Sequence, residues 1–544
     1  MSSNLPNKRN SFTSVFVESP ITDTSESILQ NHIPIPTPLA NGDIKGKSRS
    51  KASDLSYLII SGGTGANSIA SAFGNSPSFV LPVSDDGGSS SEILRCFGGP
   101  SIGDIRSRLI RLIPLTSNPS AKDDIERLAI YNLLAYRFPS DAPEKDVREL
   151  WHEIVEGRSE LWDGIGEDKK ECIRAFLVHF QTLCLKRAHK RFSFRNFSLG
   201  NGFLTGARDL FGSLPSAIFL FKSIAGVNHG VQVIPVINTN QTVTIAAQLA
   251  NSSVLVGQCN ISHPTSPITP ISTTSSGTIT PSPTVPPRSS GPTQLRNHFR
   301  RDSRTFDTPD TSLPTSRRTS FDHPHHPTGP IKEGVEGWSD TKGGNLGYRK
   351  GEEEAPLEAR IERVFYINLY GQEIYPEPNT DFLDSLTQRD VLVYSCGSLW
   401  TSIIPCLSLK GLASVIAGSK KLRAKVLLLN SSNDRETPEY TASEYLSTIL
   451  DMLRHYDKPK RNKNNGPGPN QGSMAESNWK PSDLISHVIY LEGGKVNIDM
   501  DLISELGIQV VVVPSEIHGS SGGQIPLFTP ESVEWAMEKV LEGL

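Results

Sequence analysis

The sequence predicts an α/β fold: a Rossmann-like, doubly wound, largely parallel sheet with a helical insertion and two disordered insertions. Three observations lead there. Short apolar runs rich in β-formers, at Tyr57–Ile60, Phe79–Val83 and Val391–Tyr394, each run into a break rich in glycine and serine. Helix-compatible segments separate such runs, and this alternation implies right-handed crossovers with helices on both sheet faces. The breaks fall at strand C-termini, where sheets of this kind bind ligands.

Bulk properties narrow the function. The chain has 544 residues, 36% hydrophobic and 21% charged, an ordinary balance for a soluble protein. Its net charge of −4 argues against a general nucleic-acid binder, which carries a basic excess. No apolar run is long enough to span a bilayer, and the N-terminal stretch lacks the apolar core of a secretion signal, so no membrane partner is expected. Six cysteines are scattered without metal-binding spacing. The expectation is reduced thiols in a cytoplasmic, or alternatively nuclear, protein. Homo-oligomerisation is compatible with the sequence.

Domain organisation follows composition. Residues 1–53 are rich in Ser, Pro, Asn and Thr and read as a disordered tail, too poor in large apolar groups to offset ordering entropy. Residues 54–261 form the first part of the α/β domain. Residues 262–355 are a disordered Ser/Thr/Pro-rich insertion, in which His323, His325 and His326 read as solvated rather than metal-binding. Residues 356–544 are the second part, with a flexible insertion at 458–480.

The central stretch runs from Leu55 to Arg106. Strand Tyr57–Ile60 breaks into Ser61-Gly62-Gly63-Thr64-Gly65, and a helix is expected over Asn67–Phe73. Strand, glycine loop and helix place backbone N–H groups against a phosphate. No Gly-Lys-Ser/Thr follows, so this is no Walker loop, and the dinucleotide fingerprint is missed at Ser68. A tight turn without a ligand accounts for the glycines taken alone. The second strand leads into Asp85-Asp86-Gly87-Gly88-Ser89-Ser90, carboxylates and hydroxyls suited to a hard cation or a polar ligand. Gly103-Asp104-Ile105-Arg106 opens a helix whose Arg106 could grip phosphate.

Further along, Asp123–Arg137 reads as an amphipathic helix with Ile125, Leu128, Ala129, Leu133 and Tyr136 on one stripe, Asn132 among them as a core amide. Residues 141–191 continue as mostly helical sequence. Ser198-Leu199-Gly200-Asn201 precedes another helix, and Ser198 or Asn201 reads either as its cap or as a ligand contact. Strands are expected at Val231–Val236, Val243–Val256, Ile361–Asn368, Lys425–Leu429, His487–Leu491 and Gln509–Val513. A second strand–loop–helix switch carries Gly397, Ser398, Thr401 and Ser402, and a further loop carries Asn430, Glu436 and Thr437.

Taken together, these blocks resemble a family. Gly62-Gly63-Thr64-Gly65, Asp85-Asp86-Gly87-Gly88-Ser89-Ser90, Gly103-Asp104-Ile105-Arg106, Tyr136-Arg137-Phe138, Ser198-Leu199-Gly200-Asn201, the run from Gly397 to Pro405, and Glu436-Thr437 before Tyr440-Thr441-Ala442-Ser443 occur in the order of the CofD/YvcK signatures. That family includes the 2-phospho-L-lactate transferases of deazaflavin-cofactor biosynthesis and the YvcK gluconeogenesis factors. The wording lies closer to YvcK. Ser91 stands in place of a usual glycine, Ser107 of an asparagine and Cys396 of a proline.

The resemblance implies two functions. The first is a transferase acting on a nucleotide-diphosphate-linked donor, with a hydroxyl acceptor attacking phosphorus. In that scheme Asp85 and Asp86 hold Mg²⁺, the glycine loops and Ser398 hold phosphates, and Arg106 steadies the transferred group. The second is a regulator that binds a nucleotide sugar without turnover. A nicotinamide dehydrogenase remains as a third alternative, since Asp85 or Asp86 sits about twenty residues beyond the glycine loop.

The insertion also invites modification. Arg300-Arg301-Asp302-Ser303 and Arg317-Arg318-Thr319-Ser320 both place two arginines ahead of a serine, a spacing read by protein kinases with acidic pockets. Phosphate there adds roughly −1.5 to −2 charge beside the arginines. Phosphopeptide mapping of residues 294–329 from native cells is expected to find Ser303 or Ser320 modified; both bare under several growth conditions refutes this.

Overall fold

A computed structural model describes residues 55–63, 65–116, 119–262, 356–457, 479–520 and 524–542. The 1–53 tail, Thr64, most of both insertions, and Ser303 and Ser320 lie outside the described residues.

Seven strands make the central sheet: β1 (Tyr57–Ile60), β2 (Ser78–Leu81), β3 (Gln232–Pro235), β8 (Val391–Tyr394), β9 (Ala424–Leu428), β10 (His487–Leu491) and β11 (Gln509–Val513). Their order is β11-β10-β9-β8-β1-β2-β3, and every pairing is parallel. β1, β2 and β8 are buried along their whole length, which is why they read as continuous apolar runs. From β1 the chain winds towards β3, and from β8 it winds the other way. The order therefore reverses between β1 and β8, whose residues Ile60 and Tyr394 lie side by side.

Two expectations change. The segment after the glycine loop forms only a 3₁₀ turn, Ala70–Phe73, closed at Gly74 with φ 73°. No α-helix follows that loop directly. Not all strands join the central sheet either: β4 (Thr244–Leu249), β5 (Val254–Val256), β6 (Ile361–Ile367) and β7 (Glu373–Ile374) form a separate antiparallel sheet. The single strand expected over Val243–Val256 folds back where Ser252 takes φ 68°. Arg363 bonds Gln248 at 2.9 Å and Glu373 at 2.7 Å across this sheet, giving one face a polar ladder.

The helical insertion spans Lys122–Ala135, Glu144–Val155, Glu167–Lys186, Leu199–Phe211 and Leu214–Ala225. Its core is aromatic: Trp151 stacks on Phe194 at 4.7 Å and Phe180 on Phe197 at 5.4 Å. Helix Lys122–Ala135 buries Ala129, Ile130, Tyr131, Leu133 and Leu134, so its inner face is rotated from the expected stripe. Ile125 and Asn132 are exposed, and Asn132 is no core amide. Among the described residues no single helix is long and apolar enough to cross a membrane.

Helices Glu167–Lys186 and Leu199–Phe211 cross closely at Gly206, where a Cβ would collide with the Phe176 carbonyl. Gly206→Ala is expected to cost about 1–3 kcal/mol in urea unfolding, the range for overpacking. An unchanged midpoint would show that the helices part freely there.

Candidate functional site

The loops leaving β1 and β8 emerge together and touch. A Cβ on Gly65 would lie 3.1 Å from the Gly397 Cα, and one on Gly62 would collide with the Ser402 side chain. Side chains are excluded here so that two backbones can meet. Gly397 sits at φ 138°, and Asn430 locks it: the Gly397 N–H donates to Asn430 Oδ1 at 3.0 Å, and Asn430 Nδ2 donates to the Gly397 carbonyl at 2.8 Å. Ser398 and Ser402 are partly exposed beside it.

Helix Gly103–Arg111 holds the first loop from beneath. Arg108 is fully buried; it donates to the Ala66 carbonyl and Ser61 Oγ, both at 3.0 Å, and to the Gly62 carbonyl at 3.4 Å. Ser107 and Asn67 donate to the Gly63 carbonyl, and Arg111 donates to that of Asn67. The loop carbonyls are thus drawn away from the crevice, while a buried guanidinium adds positive potential below it. Burial lowers the Arg108 guanidinium to about 9, with the Asp104 charge opposing.

Three carboxylates seat on three glycines. A Cβ on Gly103 would collide with Asp85, one on Gly63 with Asp104, and one on Gly257 with Asp86. Asp85 accepts from the Gly87 N–H at 2.9 Å and from Ser90 Oγ at 3.1 Å. Burial pushes it up to about 6. Burial first, then the Asp85 charge, push Asp104 up to about 8. Asp86 turns away and accepts from the Cys259 N–H at 2.8 Å, at the start of the short helix Gln258–Ser262. Consecutive side chains in extended backbone point to opposite sides. Asp85 nevertheless interacts with both neighbours: the Asp86 charge raises it, and its own charge raises Asp104.

The remaining expected residues divide. Gly87 and Gly88 open helix Gly88–Phe97, Gly88 at φ 50°, with Ser89 and Ser90 buried in its first turn. Asn201 reaches this turn, its Nδ2 donating to Ser89 Oγ at 2.7 Å. Ser198 occupies the N-cap position of helix Leu199–Phe211, but its hydroxyl makes no capping bond. Arg106 is buried and donates to the Ala135 carbonyl at 2.9 Å. Thr401, Glu436 and Thr437 lie in the floor rather than the lining. Glu436 accepts from the N–H groups of Trp400 and Thr401 at 3.0 and 3.2 Å, from Thr401 Oγ1 at 2.6 Å and from the Ser262 hydroxyl. It thereby caps the turn Leu399–Ile403. Thr437 bonds Asp434 and Tyr445, both at 2.9 Å. Sequence reasoning did not single out Asp104, Arg108, Arg137 or Ser262 as site residues. The i, i+4 spacing of Asp104 and Arg108 on one helix was the available signal.

Residues 58–514 match the family described as 2-phospho-L-lactate transferase CofD. The chain belongs to the CofD family. A Saccharomyces cerevisiae protein designated YNL011C is 32% identical over 464 residues, covering 84% of this chain and 94% of that one. A gluconeogenesis factor from Halalkalibacterium halodurans is 33% identical over 75 residues, 14% of this chain and 23% of that protein. A solved structure of a UPF0052-family protein from Bacillus halodurans aligns with TM-score 0.48 at 16% identity, covering 90% of this chain and 99% of that one.

Glu436 gives this CofD-family chain a defined pH response. Burial, followed by the Asp434 charge, raises its carboxyl from 4.5 to about 7, against the bonds from Ser262, Thr401 and Trp400. The folded state then holds a proton that the unfolded chain releases, so stability falls as pH rises from 4.5 to about 7. Glu436→Gln keeps an oxygen for the N–H groups and an amide for the hydroxyls. It is expected to flatten that fall in thermal unfolding; a slope like wild type would show that Glu436 does not titrate there.

Proposed function

We propose that this protein binds a nucleoside-diphosphate-linked ligand at the β1/β8 crevice and transfers part of it to a hydroxyl acceptor. The observation that carries this is the meeting of two glycine loops at the point where strand order reverses, above a buried arginine. Membership of the CofD family supports it.

Mg²⁺ fits the residues present. Among the described residues no group of three or more His, Cys, Asp and Glu side chains is arranged to hold a metal. Mg²⁺ is commonly held by one or two carboxylates together with substrate phosphates. Asp85 and Asp104 are two such carboxylates, each raised by burial, so a cation would relieve a cost already present. It would supply charge neutralisation at the reacting phosphoryl group. Asp85 and Asp104 would orient the diphosphate, and the glycine loops would admit its oxygens to the backbone.

A second reading, binding without turnover, is favoured by the partial match to a gluconeogenesis factor. Product formation from a bound nucleotide-linked donor separates the two. Calorimetry with GDP and with UDP, each with and without Mg²⁺, tests what they share. We expect binding that Mg²⁺ strengthens, and loss of that increment in Asp85→Asn, which retains partners for Gly87 and Ser90. No binding of either nucleotide, or an unchanged Mg²⁺ increment, rejects this assignment.

A further inference from the structure

Helix Gly88–Phe97 begins beside the crevice, beyond the end of β2. Its N-cap residue is Gly87, without a side chain, and its first turn carries no acidic residue. Asp85, just before it, accepts from the Gly87 N–H and the Ser90 hydroxyl. The helix's unsatisfied N–H groups leave a partial positive charge there.

Two arginines add to that charge. Arg137 Nη1 stands 3.9 Å from the place a Cβ would take on Gly88. Arg106 lies near enough to Arg137 for their charges to oppose each other. Among the described residues neither makes an ion pair; Arg106 Nη2 and Arg137 Nη1 reach only carbonyls and Asn196 Oδ1. Arg106 is 7% exposed, and its buried Nε has no partner. Asn201 is 3% exposed; its Nδ2 donates to Ser89 in the first turn, and its Oδ1 has no partner.

Two guanidinium groups and a helix N-terminus repel one another. The Asp85 carboxylate at the same helix start offsets that repulsion at Arg137 but leaves Arg106 Nε without a partner. A buried donor left unmade adds to that cost. A phosphate answers each feature, with oxygens for Arg106 Nε, the Arg137 fork and the helix N–H groups. Asn201 Oδ1 accepts, so it suits a hydroxyl next to the phosphate. Asp85 lies in the loop after β2 and Asp104 in the first turn of helix Gly103–Arg111.

We propose that Arg106, Arg137, Asn201 and the start of helix Gly88–Phe97 form a second anion subsite, binding the phosphate group of a co-bound ligand. The subsite depends on the proposed function only in assigning the neighbouring crevice to the nucleotide. Arg137 is the specificity-determining residue, since it is the more exposed of the two arginines and faces the helix start.

Calorimetry on the full chain, with inorganic phosphate as the probe and GDP and UDP titrated separately, tests this. Arg137→Gln should weaken phosphate binding ~10-fold or more while GDP and UDP affinities stay within about twofold. Arg137→Lys, which keeps the charge, should recover part of the loss, and a wild-type melting temperature in both variants establishes folding. Three results overturn the proposal: no phosphate binding by wild type, a loss below about twofold in Arg137→Gln, or equal losses for phosphate and nucleotides. The last would assign the anion to the nucleotide's own phosphate. If neither nucleotide binds but phosphate binding still depends on Arg137, the subsite stands and the nucleotide assignment falls.

Discussion

Arg108 is the constraint on which the crevice depends. Its guanidinium is fully buried, lies 4.5 Å from the centre of the Phe79 ring, and makes no ion pair among the described residues. It reaches the Ser61 hydroxyl and the Gly62 and Ala66 carbonyls. A charge so placed is tolerated because its donors meet oxygens and its flat face meets a ring. In return, the loop after β1 is fastened to helix Gly103–Arg111, a contact between chain segments more than forty residues apart. The absence of an α-helix after this loop then matters less, because the positive potential comes from a side chain.

Two of the three glycine–carboxylate seats show how a site can be built without special backbone geometry; Gly257, the third, also has φ 91°. Gly63 and Gly103 do not require left-handed backbone; they are glycines because Asp104 and Asp85 occupy the space of a Cβ. The seats bring the carboxylates of Asp85 and Asp104 towards each other at the cost of desolvating them, and burial raises both. Carboxylates perturbed by burial and by a neighbouring charge cluster at functional sites.

Asp86 and Glu436 serve a different purpose. Asp86 receives the N–H at Cys259, Arg435 donates to the Asn260 and Ile261 carbonyls, and Glu436 receives the Ser262 hydroxyl. The short helix Gln258–Ser262 is thus tied to the loop after β2 and to the floor beneath Gly397–Ser402. Residues that look like ligands in the sequence here fasten the walls of the crevice to each other.

The sequence by itself determined the fold class and most strands, because β1, β2 and β8 are buried on both faces and must read as unbroken apolar runs. It also placed the glycine loops and Asp85 at strand ends, since loop chemistry is local. It could not separate the antiparallel sheet from the central one, because both kinds of strand show the same β-formers. Nor could it tell lining from floor among Gly397, Ser398, Thr401, Ser402 and Glu436, where burial is decided by what packs above. The action of Asp85 on Asp104, and the approach of Arg137 to Gly88, were decided only by tertiary structure. Both bring together residues from loops and helices that are distant in sequence, and no local periodicity encodes such a meeting.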